Sequence, residues 1–284
     1  MGKVGMVVHR SRPEAAALAT EAVAWLTGHG HEVRVPTDDA HAAGLAELAC
    51  PDDKLCDALD LAMSLGGDGT MLRAVDLVSA AGVPVVGINV GHLGYLTECE
   101  PAMLTNALER FFAGDYRIEE RMTLQVDAVV GGERLDARTA LNEAWLEKTV
   151  PGHTVRMQLT IAGETFTTYA ADGLIVSTPT GSTAYNLSVR GPIVSPALRA
   201  IVVTPVSPHQ LFDFSLVLGE GEDVRVHVLD GRTATLLVDG QPLGVLSGGD
   251  HVTCTAGRNP ARLVRFGEHS FFRILKGKFG LTDR

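Results

Sequence analysis

Aromatic side chains are scarce in this chain, at 5% of its residues, and long apolar runs are missing. No stretch reaches the roughly 18 apolar residues that a membrane-crossing helix needs. The start, MGKVGMVVHR, has no extended apolar core followed by small residues, so it does not read as a secretory signal. Met6 stands where a myristoylation signal wants Ser or Thr. Basic charge is also in short supply. Against 34 Asp and Glu there are 24 Lys and Arg, a formal net charge of -10. That argues against a nucleic-acid partner, which needs a basic footprint. An anionic small substrate stays open if cations gather locally or a metal supplies charge. Only four cysteines occur, Cys50, Cys56, Cys99 and Cys254, with no C-x-x-C pair and no His/Cys spacing suited to zinc. They read as reduced thiols of a soluble, cytoplasmic protein. The Walker A loop, the G-x-G-x-x-G fingerprint and the G-x-S-x-G elbow are all absent.

What is present is enough for a large interior. The 284 residues are 45% hydrophobic and include 31 glycines, which predicts one large domain or two moderate ones with many tight turns. Over the first 115 residues, strand-like runs alternate with helical spacing. VGMVV (Val4 to Val8) precedes the helical PEAAALATEAVAWL, and HEVRV and LAMSL (Leu61 to Leu65) are further strands. The helical TMLRAVDLVSAAG, the strand VPVVGIN (Val83 to Asn89) and the helical PAMLTNALERFFAG follow. That order predicts a parallel sheet. After Tyr116 the pattern changes to apolar–polar alternation, as in RMTLQVDAVV, TVRMQLTIAG and DVRVHVL, which predicts antiparallel strands. The expected fold class is α/β plus β, a Rossmann-like N-terminal domain followed by a β-sandwich-like one. Expected bounds are 1–116, 117–264, and a tail 265–284 packing back on the N-terminal domain.

SLGGDGTML (Ser64 to Leu72) ends a strand and opens a helix, where open α/β sheets bind ligands. Gly66, Gly67 and Gly69 let backbone N–H groups approach phosphate oxygens. The helix start near Thr70 adds unpaired amides. Asp68 is the one carboxylate beside that cradle, placed to orient an attacking hydroxyl and take its proton, or to help hold a metal. The plainer reading is a tight turn with Asp68 capping the helix. STPTGSTAY (Ser177 to Tyr185) is a second candidate wall, with six hydroxyls in nine residues. TAYNLS (Thr183 to Ser188), which overlaps its end, predicts a helix start, with Ser182 as its N-cap.

LGGDGT resembles the signature of a kinase superfamily that spans NAD kinases, lipid kinases and phosphofructokinases. VGINVGHLGYLTE, LNEAWLEK, DGLIVSTPTGSTAYNLS, VDGQPLG and the tail KGKFGLTDR resemble segments of bacterial-type NAD kinases, in the same order. The resemblance implies phosphoryl transfer from ATP, or polyphosphate, to the 2′-hydroxyl of the adenosine ribose of NAD, giving NADP. It also implies a divalent metal ion such as Mg2+ and a homodimer or homotetramer. By the same resemblance Asp68 is the catalytic carboxylate. The substrate-binding set is Gly67, Gly69, Thr70, Arg73, Tyr95, Asn142, Glu143, His153, Asp172, Thr183, Ala184, Tyr185, Asn186, Leu187, Ser188 and Gln241. Several of these have a plainer reading: Asn142-Glu143 as a strand-end turn, His153 as a lone surface histidine, and the Asp239-Gly240 hairpin beside Gln241 as a turn only. The chain departs from the family where Val189-Arg190 replaces Ala-Gly, and where Phe214-Ser215 replaces Arg-Pro. Ala170 also stands near a position that is basic in some members. A paralogue acting on another nucleoside or dinucleotide, or a non-catalytic dinucleotide-binding regulator, are the alternatives.

Overall fold

The computed structural model describes every residue except 92–93, 230, 268–269 and 282–284, so parts of the GHLG and tail segments lie outside the described residues. In chain order the first elements are β1 (Lys3–Val8), α1 (Pro13–Gly28), β2 (Glu32–Pro36), α2 (Thr37–Ala43), β3 (Ala49–Cys50), β4 (Leu61–Gly66), α3 (Asp68–Val78), β5 (Val85–Asn89), α4 (Leu104–Phe112) and β6 (Arg117–Arg121). Then come β7 (Leu124–Val130), β8 (Glu133–Arg134), β9 (Arg138–Ala140), β10 (Glu143–Lys148), β11 (Val155–Ile161), β12 (Glu164–Ala171) and β13 (Gly173–Ser177). The chain finishes with α5 (Tyr185–Ser188), β14 (Ala200–Val206), β15 (Leu216–Gly219), β16 (Val224–Val228), β17 (Ala234–Val238), β18 (Gln241–Leu246), β19 (His251–Ala256), β20 (Ala261–Arg265) and α6 (Phe271–Lys278).

Two compact units emerge: Met1–Glu120 with Ala261–Arg284, and Arg121–Pro260. In the first, the sheet order is β3-β2-β1-β4-β5-β20-β6. β4 and β5 are buried along their whole length, as strands covered on both faces must be, which is why they read as continuous apolar runs. α1 begins on Pro13, whose missing N–H costs nothing in a first turn, and buries Ala15, Leu18, Ala19, Ala22 and Leu26 on one stripe. α4 does the same with Leu104, Ala107, Leu108 and Phe111. The strand order reverses between β1 and β4, so loops leaving their carboxyl ends frame the crevice of a doubly wound sheet.

The units depart from the expected bounds. Residues 117–120 and 261–264 join the first unit, because Leu263 of β20 pairs in parallel with Val85 of β5 and β6 lies beside β20 at the sheet edge. Alternation can mark β20 as a strand but cannot say which sheet takes it up.

The second unit holds a six-stranded sheet, β15-β14-β13-β10-β17-β18, and a second sheet ordered β12-β11-β16-β19-β7-β8, with β9 on β7. Alternating burial along β7, β11 and β17 aims one face of each sheet inward. Leu124, Val126, Met157, Leu159, Leu174, Val176, Val226 and Leu236, drawn from both sheets, share one apolar core, the arrangement of a β-sandwich. The TAYNLS helix is only the four residues of α5, preceded by a 3-10 turn over Gly181–Thr183. Ser182 is not its cap. Its hydroxyl donates to Pro179 O (2.6 Å) and accepts from Val194 N (2.9 Å).

Candidate active site

In the first unit α3 begins at Asp68 itself, two residues earlier than expected, with Gly67 at the N-cap position. The Asp68 carboxylate turns away from its own helix. Its Oδ2 accepts the backbone N–H of Tyr95 (2.8 Å) and its Oδ1 that of Leu96 (3.0 Å). Each oxygen keeps a second lone pair for another donor. The glycines of the turn differ in what they do. A β-carbon at Gly66 would stand 2.2 Å from Thr70 Oγ1, so Gly66 makes room for the buried Thr70 side chain. Gly67 and Gly69 have nothing within 4 Å of where a β-carbon would lie, and neither has a positive φ. Nothing inside the unit requires glycine there. A group approaching from outside would.

Arg73, on the next turn of α3, donates to Val8 O (3.0 Å) and pairs with Asp39. Asp39 lies on α2, a helix too short for its periodicity to show in the sequence, and is fully buried. It also accepts from Val8 N (2.9 Å) and Arg10 Nε (2.8 Å). Desolvation lowers the Arg73 pKa, with Asp39 opposing it. Tyr95 is half-buried, with Phe271 6.4 Å from its ring and Lys278 Nζ 4.8 Å above it. Burial, followed by the Asp68 charge, raises its pKa.

In the second unit strand pairing collects the other candidates. Glu143 opens β10 opposite Ser177 at the end of β13. Gly181 lies against this junction; a β-carbon there would fall 2.1 Å from Asn142 O. The hydroxyls of STPTGS are used inside the chain. Ser177 Oγ donates to Asn142 O (3.2 Å) and Thr178 Oγ1 to Leu141 O (2.5 Å). Ser177, Thr178, Thr180 and Ser182 are buried, whereas Thr183, Ala184 and Tyr185 at the end of the stretch are half-buried.

Asp239, half of an Asp-Gly hairpin turn in the sequence, does more than turn the chain. Its φ is 46° and that of Gly240 is 77°, the left-handed pair of a tight hairpin. Its carboxylate accepts the N–H groups of Leu141 (2.7 Å), Asn142 (2.8 Å) and Glu143 (3.1 Å). Glu143 is buried with Oε2 lacking any partner. Burial, and then the Asp239 charge, push its carboxyl up to about 8, so at neutral pH it carries a proton and can donate. Trp145, also unforeseen, sits 4.3 Å from Tyr185, ring centre to ring centre. Burial, then Glu147 and Asp172, raise the Tyr185 pKa.

The remaining candidates divide. Asp172 is paired with Lys148 Nζ at 2.5 Å. Asn186 is fully buried: its Nδ2 donates to Ser182 O (3.3 Å) and Pro192 O (3.2 Å), and its Oδ1 accepts from Thr204 (2.7 Å). Its side chain therefore holds the segment rather than reaching outward. Thr183, Ala184, Tyr185 and Leu187 are half-buried, and Ser188 is exposed. His153 lies exposed in the loop before β11, and Gln241 is exposed at the start of β18. Among the described residues, no group of three or more His, Cys, Asp or Glu could hold a metal ion, and no helix is long and apolar enough to cross a membrane.

Comparison with known proteins returns two adjacent family models, the ATP-NAD kinase N-terminal domain over residues 4–116 and the ATP-NAD kinase C-terminal domain over 141–266. The NAD kinase of Heliobacterium modesticaldum is 42% identical, covering 98% of each chain. That of Moorella thermoacetica is 41% identical over 98% of this chain and 89% of its own. Yeast NADH kinase, solved in complex with NADH, superposes with a TM-score of 0.91 at 25% identity, covering all of this chain and 89% of that one. An NAD kinase from Archaeoglobus fulgidus, solved with ATP, shares the fold with a TM-score of 0.74 at 24% identity. With both domains matched and relatives similar from end to end, the chain belongs to the ATP-NAD kinase family.

Proposed function

We propose that this protein transfers the terminal phosphoryl group of ATP to the 2′-hydroxyl of the adenosine ribose of NAD, giving NADP. The observation that carries this reading is the turn at Gly67-Asp68-Gly69. It leaves two glycine backbones open to an approaching anion, and the residue between them carries a carboxylate that the Tyr95 and Leu96 amides hold in place. Asp68 orients the attacking hydroxyl and takes its proton late in the transfer, while the open amides and the first turn of α3 favour the donor phosphates.

The acceptor falls to the second unit. Protonated Glu143 and the Asn142 amide fix ribose hydroxyls, their backbone held by Asp239. Tyr185, backed by Trp145, offers a face for a base. Thr183, Ala184, Leu187, Ser188, Asp172, His153 and Gln241 complete the set, with Asn186 as its internal brace. A divalent ion does not fit a protein-built cage among the described residues. It enters as part of the metal–ATP substrate, which is how Mg2+ is usually carried. Assembly into a homodimer or homotetramer, and use of polyphosphate, belong to the same proposal.

Incubation with ATP, Mg2+ and NAD, with NADP measured enzymatically, tests it. Asp68→Asn lowers turnover by about a hundredfold or more, the scale of general-base loss. No NADP, but turnover of another nucleoside, would replace this reading with that of a paralogue. NAD binding with no turnover of any acceptor would make the protein a regulator.

A further inference from the structure

We propose that Arg265 is a positioning residue for the transfer step: from β20 it fixes Leu96, whose N–H holds the Asp68 carboxylate. The proposal rests on Asp68 being the proton acceptor.

Arg265 is 1% exposed, among the largest fully buried side chains of the protein. Its Nε meets Glu119 Oε2 at 2.6 Å, and its Nη1 meets Glu98 Oε2 at 3.1 Å. The same Nη1 donates to Leu96 O at 3.1 Å, across 169 residues of sequence. Leu96 is thus gripped at both ends, its carbonyl by Arg265 and its amide by Asp68 Oδ1 at 3.0 Å. The following residues are tied down as well. Glu98 Oε1 accepts Phe266 N (3.0 Å), and the N–H groups of Glu98 and Cys99 both reach Gly87 O (2.9 and 3.1 Å). On the other side of Leu96, the Gly94 backbone lies so near Asp68 that a β-carbon would fall 2.0 Å from its Oδ1. The peptide run that holds Asp68 therefore has little slack, and within it the Leu96 carbonyl is held by the Arg265 guanidinium.

Stability alone does not account for an arginine here. Taking a guanidinium out of water is costly, and buried ion pairs often do no better than apolar side chains of similar volume. Arg265 also leaves its Nη2 buried without a partner. A planar fork, however, can span two carboxylates and a carbonyl at once, which an ammonium on a flexible stem cannot. Catalytic geometry is unforgiving, since displacements of about 1 Å can cost up to about a hundredfold in rate. The arrangement suits a group whose task is to set the Leu96 backbone.

The test compares kcat, both KM values and melting temperature for Arg265→Lys and Glu119→Gln. The lysine keeps the charge facing the two glutamates but loses the reach to Leu96 O. The glutamine loosens an ion pair yet leaves the Leu96 contact in place. Arg265→Lys is expected to lower kcat about tenfold, with KM for NAD and for ATP within about twofold of wild type. Glu119→Gln is expected to melt earlier while keeping kcat within about twofold. If the lysine variant does not fold, Arg265→Gln combined with Glu119→Gln, which removes a facing carboxylate together with the guanidinium, serves in its place, and the same pattern is expected of it. Unchanged kcat in the Arg265 variants, or equal losses of kcat in these and in Glu119→Gln, would overturn the proposal. An active wild type with unaltered Arg265 variants defeats only this inference, whereas a wild type that makes no NADP defeats the functional reading beneath it.

Discussion

Asp68 and Gly94 are fitted to each other: a β-carbon on Gly94 would lie 2.0 Å from Asp68 Oδ1 and 2.5 Å from its Cγ. Real atoms do not approach so closely, so any larger residue must push the carboxylate off the Tyr95 and Leu96 amides or move the chain. The conflict is steric, because the carboxylate occupies the place a β-carbon would take. Gly94→Ala should lower kcat about a hundredfold, the upper range for misplaced catalytic groups, with a small change in melting temperature. Steady-state kinetics beside a thermal melt decides it, and near-normal kcat would mean that Asp68 tolerates displacement.

Glu143 predicts a pH dependence of stability. Its carboxyl is raised from an ordinary 4.5 to about 8, first by burial and then by Asp239. The native state therefore binds a proton that the unfolded chain releases, and stability falls as pH rises between those values. It is fully present below about 4.5 and lost by about 8. Glu143→Gln cannot ionise, so its melting temperature should gain on that of wild type progressively from pH 5 to pH 8. Parallel melting curves across that range would show that Glu143 does not titrate as described.

Asp239 supports three consecutive amides at the entry to β10. Asp239→Ala removes all three acceptors, each worth about 1–3 kcal/mol when a buried donor is left unpaired. The wild-type aspartate already sits at the same left-handed φ, so backbone strain contributes little to the difference. A loss of about 3 kcal/mol in urea denaturation is expected, after some relief by water, together with a raised KM for NAD. A change below about 1 kcal/mol would show that the amides find other partners.

Arg190 predicts a gain. α5 ends in a Schellman turn, with Arg190 N bonded to Leu187 O (3.0 Å) and Gly191 N to Asn186 O (2.8 Å). The left-handed position of that motif is usually glycine, yet here it is Arg190, with φ 65°. Gly191 is needed one residue later, where a β-carbon would strike Asn186 at 2.2 Å. Arg190→Gly relieves about 1 kcal/mol of backbone strain, partly offset by a more flexible unfolded chain. The melting temperature should rise by about 2 °C. A fall would mean that the arginine side chain makes a stabilising contact.

Much of this protein was legible in its residues because the relevant signals are local. Strand, glycine turn and helix start at Ser64 to Leu72 lie within nine residues, and the alternation after Tyr116 needs no knowledge of partners. Asp239 was visible only as half of an Asp-Gly turn, since its role depends on amides almost a hundred residues away. STPTGSTAY depends on distant partners in the same way. Its hydroxyls are equally suited to a ligand or to neighbouring carbonyls, and only packing shows that the carbonyls of Leu141 and Asn142 take those of Thr178 and Ser177. α2 escaped notice because seven residues are too few to display a helical period.

By itself, then, the amino-acid order determined the two kinds of sheet, the glycine turn between strand and helix, and the family, because short-range periodicity and contiguous motifs carry those. Tertiary structure alone decided that β20 returns to the parallel sheet, that Asp39 holds Arg73, that Asp239 supports Asn142 and Glu143, and that Arg265 reaches Leu96. Those are contacts between residues 34, 97 and 169 positions apart in three of these cases. Strand pairing and burial create them, and no local pattern encodes which distant carboxylate or carbonyl a side chain will meet.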